Sequence, residues 1–329
     1  MKSRKLILFV VASLGFALSV SCKQSGTPEY VKKMGMIWNT TYHITYQGSP
    51  ELGDSIIATL NDVGHSLSVF DSTSVVSKIN ANIPVEIDSH FTTVFEKAKE
   101  IHRNSDGAFD PTLSPVITAW GFGKGHAATP DTAHLDSLRQ FVGLDKISLS
   151  QGKIVKEDSR VQLNLSAIAK GYGCDAVAKM FHRNGVENFM IEIGGEITVG
   201  GVSPRGGKWV IAIEKPEYSE GEMLPQIANI TFSDGGLATS GNYRNFHGQG
   251  ANRFGHTIDP VTCRPIQTDV LSATVIAPTS MEADAYATSC MVLGSARAKE
   301  MISKLNLPAF LVINDSVWAS PAMEEFLSK

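Results

Sequence analysis

The residues able to do chemistry in this 329-residue chain gather into a few dense clusters. His256-Thr257-Ile258-Asp259-Pro260 joins an imidazole to a carboxylate, and histidine is the side chain best suited to exchanging protons near neutral pH. Thr239-Ser240-Gly241-Asn242-Tyr243 adds hydroxyl groups. Asp284 and Thr288 are four residues apart, so a helix sets them on one face. A carboxylate, a hydroxyl and a backbone carbonyl converging there are hard oxygen ligands of the kind Mg²⁺ accepts. The run from Asn164 to Tyr172 brings a polar residue, small residues and Lys170 to a helix start, where free N–H groups and the helix dipole favour an anion. Asp106-Gly107-Ala108-Phe109-Asp110-Pro111-Thr112 sets an aromatic ring between two carboxylates at a turn, a place for a planar ligand. Taken singly, each cluster also has a plain structural reading as a turn, a helix cap or a core histidine. Gly194-Gly195, after the apolar run Phe189 to Ile193, reads equally as a simple strand-end turn.

Several familiar signatures are absent. Gly121-Phe122-Gly123-Lys124-Gly125 lacks the G-x-G-x-x-G spacing, and Gly206-Gly207-Lys208-Trp209 has neither the upstream Gly nor the Ser/Thr of a P-loop. There is no H-E-x-x-H zinc motif. Ser240-Gly241-Asn242 has no S-x-x-K and later K-T-G to make it a β-lactamase site. Cys174, Cys263 and Cys290 are widely spaced, no C-x-x-C pair exists, and buried small hydrophobes are the expectation for all three.

The elements that must position these clusters follow from periodicity. Met36, Trp38, Tyr42, Ile44 and Tyr46 fall mostly on alternate positions, as in a half-buried strand. Leu52, Ile56, Leu60, Val63 and Leu67 recur at helical spacing, and a second helix is expected from Phe91 to Arg103. Trp120 to Asp131 reads as a Gly- and Pro-marked loop. Further on, a hairpin is expected at Ile154 to Leu163, helices at Ser166 to Phe181 and Ser280 to about Leu293, and strands at Phe189 to Ile193, Trp209 to Ile213, Ala273 to Ile276 and Phe310 to Ile313. Strands are not separated by regular helical crossovers, which points to an α+β fold: one compact domain, with two lobes as an option. No 20 to 50 residue repeat marks a solenoid.

Composition narrows the class. Hydrophobic residues make up 43% and charged residues 19%, which excludes a disordered chain. A formal net charge of -4 gives no basic surplus for nucleic acid. Lys2, Arg4 and Lys5 precede the apolar run Leu6 to Val20, which is shorter than the roughly 20 residues of a transmembrane span and reads as an export signal. Loss of residues 1–21 takes the formal charge to -7. Residues 22–33 are polar with Gly and Pro and suit a tether, leaving 34–329 as the folded body.

Cys22 directly after the small-residue exit Ser19-Val20-Ser21 resembles a bacterial lipoprotein signal, with Leu18 one place earlier than usual. A plain cleaved signal peptide is the alternative. The order of clusters is more specific than any one of them. Met34-Gly35, Ser68-Val69-Phe70-Asp71 with Ser74 and Asn80, Gly107-Ala108-Phe109-Asp110-Pro111, Trp120-Gly121-Phe122-Gly123 and Ala169-Lys170-Gly171-Tyr172 with Asp175 come first. Ile193-Gly194-Gly195-Glu196, Thr239 to Tyr243, His256 to Pro260 and Ala283-Asp284-Ala285 with Thr288 follow. This series resembles the ApbE family of FAD:protein FMN transferases, from about Met34 to the C-terminal helix.

The resemblance implies an α+β domain related in part to the T-fold, in an Mg²⁺-dependent enzyme of the bacterial cell envelope. It implies cleavage of FAD, transfer of FMN through a phosphoester to a Thr or Ser hydroxyl of a target protein, and release of AMP. Family targets are membrane redox subunits of quinone reductase or Rnf type. Position by position, Met34, Phe70, Ala108, Phe109, Asp110, Asn164, Lys170 and Ile258 match FAD contacts. Ala167 matches a metal-binding carbonyl, Ala287 a second one, and Asp284 and Thr288 the side-chain ligands; His256 matches the histidine of transfer. Anchoring at Cys22 would face the protein to the periplasm. Three positions depart from the pattern: Met36 in place of Thr, Cys263 in place of Gly, and Asn164 where Asp is frequent. Cys263 occupies a turn that benefits from glycine's freedom in φ. An FAD pyrophosphatase and a non-catalytic FAD-binding lipoprotein are the alternative functions.

Overall fold

The computed structural model describes residues 29–122, 130–216, 225–241, 246–247 and 254–328. The signal and most of the expected tether lie outside the described residues, as do Asn242, Tyr243, Gly123 and Gly125. The chain opens with a hairpin, β1 (Tyr30–Ile37) and β2 (Thr40–Gln47), followed by α1 (Gly53–Leu67), α2 (Val75–Asn80), α3 (Ser89–Asn104), α4 (Ser114–Ala119) and α5 (Thr132–Arg139). A small hairpin, β3 (Ile147–Ser150) and β4 (Lys153–Lys156), leads to the long α6 (Ser166–Arg183). Strands β5 (Phe189–Ile193), β6 (Glu196–Gly200), β7 (Trp209–Glu214), β8 (Gln226–Phe232) and β9 (Gly235–Gly241) follow. Four two-residue strands come next: β10 (Phe246–His247), β11 (Phe254–Gly255), β12 (Ile258–Asp259) and β13 (Arg264–Pro265). The chain then runs through β14 (Val270–Ala277), α7 (Ser280–Leu305), β15 (Ala309–Ile313) and β16 (Ser316–Ala319).

Eight strands form one antiparallel sheet in the order β1-β2-β5-β6-β9-β14-β15-β16. On one face, Ile44 and Tyr46 of β2 and Ile191 of β5 pack with Leu60 of α1 and Phe181 of α6. Further along the same layer, Ala273 and Val275 of β14 join α3 and α7 through Phe95 and Met291. The opposite face of β6, β9, β14 and β15 is covered by the β7–β8 hairpin, through Ile197, Phe310, Trp209 and Phe232. Strand β14 is buried along nearly its whole length because both faces are covered. A smaller cluster around Val116, Trp120, Leu135 and Cys263 packs α4 and α5 against the β12–β13 turn.

Local chemistry explains the boundaries. Ser74, Asp88, Asp131 and Thr279 each cap a helix by accepting from a backbone N–H of the first turn. Helix α7 breaks at Gly294, whose φ of 70° is outside the helical range, and Asp269 recaps its second half by accepting from the Ser295 N–H at 2.9 Å. The helix expected from Ser280 to about Leu293 is therefore the first half of a longer, broken one.

Three expectations need correction. The strand read across Met36 to Tyr46 is two strands, since Trp38 and Asn39 form a left-handed turn with φ of 49° and 60°. Alternation carried through a two-residue hairpin looks continuous. Residues 30–33, assigned to the tether, begin β1. The hairpin expected at Ile154 to Leu163 lies at Ile147 to Lys156 instead, because Gln151 and Gly152 supply its left-handed turn.

Candidate active site

A cleft of about 1010 Å³ opens beside the ends of β5, β6 and β9 and the starts of α6 and α7, at the upper end of the size range of small-molecule sites. Its wall is built by close backbone contact. A Cβ on Gly171 would lie 2.3 Å from the Ser280 carbonyl oxygen, and one on Gly236 only 2.0 Å from the Ser280 nitrogen. Ser280 is thus clamped between α6 and β9, and from α7 so held Asp284, Thr288 and Val292 line the cleft. Asp175 of α6 fastens the first turn of α7, accepting from the Ser280 and Met281 N–H groups at 2.9 and 2.8 Å and from the Thr198 hydroxyl at 2.9 Å. Burial pushes the Asp175 carboxyl up to about 6 against these three donors.

Asp284, one turn further along α7, is buried in the cleft wall with Thr288 beyond it. Its Oδ2 accepts from the Gly171 N–H at 3.2 Å. Burial raises the Asp284 pKa, with the Lys170 ammonium acting in the opposite sense. Lys170 Nζ, itself a third exposed, lies 2.5 Å from Glu196 Oε1. Burial pushes the Glu196 carboxyl upward, and the Lys170 ammonium beside it opposes the shift. The ammonium stays charged above its ordinary value: burial works against it, and the Glu196 and Asp284 carboxylates outweigh that. Ala167, in the first turn of α6, also lines the cleft. Asn164 turns the chain into α6, its Oδ1 accepting from the Ser166 N–H at 2.9 Å.

Aromatic and apolar groups belong to the cleft as well. Phe70, Phe109, Ile258 and Phe122 line it, and His256 meets the Phe122 ring edge-on at 6.3 Å between centroids. Ala108 and Asp110 line the cleft too, but much of Asp110 is used internally. Its Oδ1 accepts from the Thr112 N–H at 2.8 Å and hydroxyl at 2.5 Å, and Oδ2 is 3.8 Å from His102 Nδ1. Asp110 therefore ties the turn that presents Phe109 to the end of α3.

Of the residues that the resemblance matches to FAD, metal and transfer positions, Phe70, Ala108, Phe109, Asp110, Asn164, Ala167, Lys170, His256, Ile258, Asp284 and Thr288 meet at this cleft. Two do not. Met34 sits on β1, 74% exposed, and Ala287 packs in the core. From the first hairpin the cleft receives Thr40 and Thr41 instead, beside the left-handed turn. Cys263 does take a left-handed conformation, with φ of 55°. It is held there by its N–H donating to the Asp259 carbonyl at 2.8 Å and its own carbonyl accepting from Trp120 Nε1 at 2.9 Å. Cys174, Cys263 and Cys290 are free and buried.

Sequence alone assigned no role to three carboxylates of the wall, Glu192, Glu196 and Glu214. Glu192 Oε1 accepts from the Gly195 N–H at 2.7 Å and Oε2 meets His43 Nδ1 at 2.5 Å, so it shapes the Gly194-Gly195 turn. The available signal for Glu196 was a charged residue beginning a strand that is buried at every position. Among the described lining residues, Asp110, Glu192, Glu196, Glu214 and Asp284 stand against Lys170 as the only Lys or Arg. An anionic ligand can sit beside so many carboxylates only if positive charge is added. Asp284 and Thr288 bring a carboxylate and a hydroxyl from α7 to the cleft, hard oxygen donors that could hold a cation such as Mg²⁺. No group of three or more His, Cys, Asp or Glu side chains able to hold a metal occurs among the described residues.

Fold and cleft together define an α+β protein with a large cleft, lined by carboxylates, a lysine and aromatic rings, where two helices meet the ends of a sheet. The ApbE family matches residues 34–311. An FAD:protein FMN transferase of Haemophilus influenzae is 37% identical over 94% of this chain and 93% of its own length. One of Vibrio cholerae is 33% identical over 98% and 99%. The solved structure of the flavin transferase ApbE from Vibrio cholerae superposes with a TM-score of 0.83 at 32% identity, covering 91% of this chain and 99% of that one. The chain belongs to the ApbE family.

Proposed function

We propose that the protein is an FAD:protein FMN transferase that uses Mg²⁺ and forms a phosphoester between FMN and a Thr or Ser hydroxyl of an acceptor protein. The observation that carries this reading is the meeting, in one cleft, of Lys170, Asp284, Thr288 and His256 with the aromatic wall of Phe70 and Phe109. It is supported by full-length relatives that bear the transferase name.

In this reading the aromatic wall receives the isoalloxazine ring, while Lys170 faces the pyrophosphate. Asp284, Thr288 and the Ala167 carbonyl would hold Mg²⁺, whose charge would offset that of the phosphates. The acceptor hydroxyl oxygen forms a bond to the FMN-side phosphorus as the bond from that phosphorus to the AMP phosphate oxygen breaks. His256 or a nearby carboxylate takes the hydroxyl proton, and AMP leaves as the anion. Water in place of the hydroxyl would give FMN and AMP, the pyrophosphatase reading. Acceptors of the membrane redox class, such as quinone reductase or Rnf subunits, fit an enzyme anchored at Cys22 and facing the periplasm.

AMP release from FAD separates an enzyme from a flavin-binding protein. Wild type is expected to release AMP only with a divalent cation present, and Asp284→Ala to lower the rate at least about 100-fold. Full activity of Asp284→Ala with Mg²⁺ as the sole divalent ion would sink the assignment.

A further inference from the structure

Two buried carboxylates of the cleft share a neighbourhood with one ammonium. Lys170 Nζ pairs with Glu196 Oε1, and no ion pair between Lys170 and Asp284 accompanies it. Asp284 takes a backbone N–H from Gly171 instead. The Glu196 side chain is only 4% exposed, and its Oε2 has no hydrogen-bond partner. A carboxylate so placed is tolerated only when paired, and Lys170 is the charge that pairs it. The arrangement is fixed from behind, since Glu196 stands opposite Ile193 in the β5–β6 pairing and its carbonyl accepts from the Cys174 thiol of α6 at 3.2 Å.

We propose that Glu196 is a positioning residue whose ion pair keeps Lys170 off Asp284, so that the Asp284 carboxylate remains open to a divalent cation. The inference rests on the reading of Asp284 as a cation ligand. Lys170 carries its charge on a flexible four-carbon stem, and weak screening inside the cleft favours pairing with whichever carboxylate is left. Ion pairing and metal coordination use the same carboxylate oxygens. A lysine resting on Asp284 must be displaced before a cation binds, and apparent affinity falls by the fraction of time the carboxylate is free. Glu196 thus sorts the charges: the ammonium to one carboxylate, the cation to the other. Its effect on the cation runs through Lys170, which distinguishes it from a simple contribution of negative charge.

The test is direct binding of Mn²⁺ to the purified full chain, without FAD, followed by electron paramagnetic resonance. Glu196→Gln should weaken Mn²⁺ binding about tenfold or more. Lys170→Met should bind as wild type or more tightly. The double variant Glu196→Gln/Lys170→Met should return to within roughly threefold of Lys170→Met. Unchanged affinity in Glu196→Gln overturns the proposal, and so does a weakening that persists in full in the double variant, which would mark Glu196 as acting by charge alone. If Glu196→Gln fails to fold, Glu196→Asp, which keeps the charge but draws it back from Lys170, takes its place with the same expectation. Asp284→Ala tests the underlying reading separately: if it leaves Mn²⁺ binding intact, Asp284 is not the ligand, whatever the Glu196 variants do.

Discussion

Buried carboxyls give this site a distinct dependence on pH. Asp175, pushed up to about 6, binds a proton more tightly in the folded chain than in the unfolded one, where an ordinary aspartate titrates near 4. That stabilisation is present at low pH and is lost as pH rises through the interval from about 4 to about 6. For metal-free protein, urea unfolding is expected to show a loss on the order of 2 kcal/mol from this group between about pH 4 and pH 7. Asp175→Asn should flatten that slope. A slope unaffected by Asp175→Asn would show that the carboxyl is ionised without cost. Residue types were legible where chemistry is local. Asp284 and Thr288 announce a shared helix face by their spacing. Glu196 could not be assigned that way, because its partner Lys170 is 26 positions away and only the packing of α6 on β6 brings them together.

At the scale of elements, the cleft depends on how closely α6 and β9 approach the start of α7. Gly171→Ala puts a methyl group 2.3 Å from a backbone carbonyl that cannot turn aside, and the same step disturbs the N–H that Asp284 accepts. A loss of at least about 3 kcal/mol is expected in thermal or urea unfolding, since relief requires α6 and α7 to separate. A variant as stable as wild type would mean the contact is looser than described. Helices α1, α3 and α6 and strands β5, β7 and β15 were readable from apolar period, because each presents a regular buried face. Short helices such as α2 and α4, at 6 residues each, carry too few turns for a period to emerge. The misplaced hairpin at Ile154 to Leu163 failed for another reason. Its turn is made by Gln151 in a left-handed conformation, which residue type alone does not signal.

For the whole molecule, the sheet with helices on one face and the β7–β8 hairpin on the other follows the α+β layering expected from strand order. Most residues matched through the family resemblance line the same cleft, with Met34 and Ala287 the exceptions. Met34 belongs to an exposed strand face, whereas Thr40 and Thr41 reach the site from the turn that follows. A single sequence could not separate these, because both stretches lie on one continuous alternation. The proposed anchoring at Cys22 also belongs to the scale of the whole chain. Cys22→Ala is expected to move the protein from the membrane to the soluble fraction of fractionated cells, and retention in the membrane would contradict lipidation at that residue.

The central claim is that this cleft passes FMN from FAD to a protein hydroxyl. It is tested most directly by incubating the chain with FAD, Mg²⁺ and a candidate acceptor bearing the target Thr, then weighing the intact acceptor. The account predicts an added mass equal to one FMN phosphoester, lost when that Thr is replaced by Val. Release of free FMN and AMP with the acceptor left unmodified would contradict it and assign the cleft to hydrolysis.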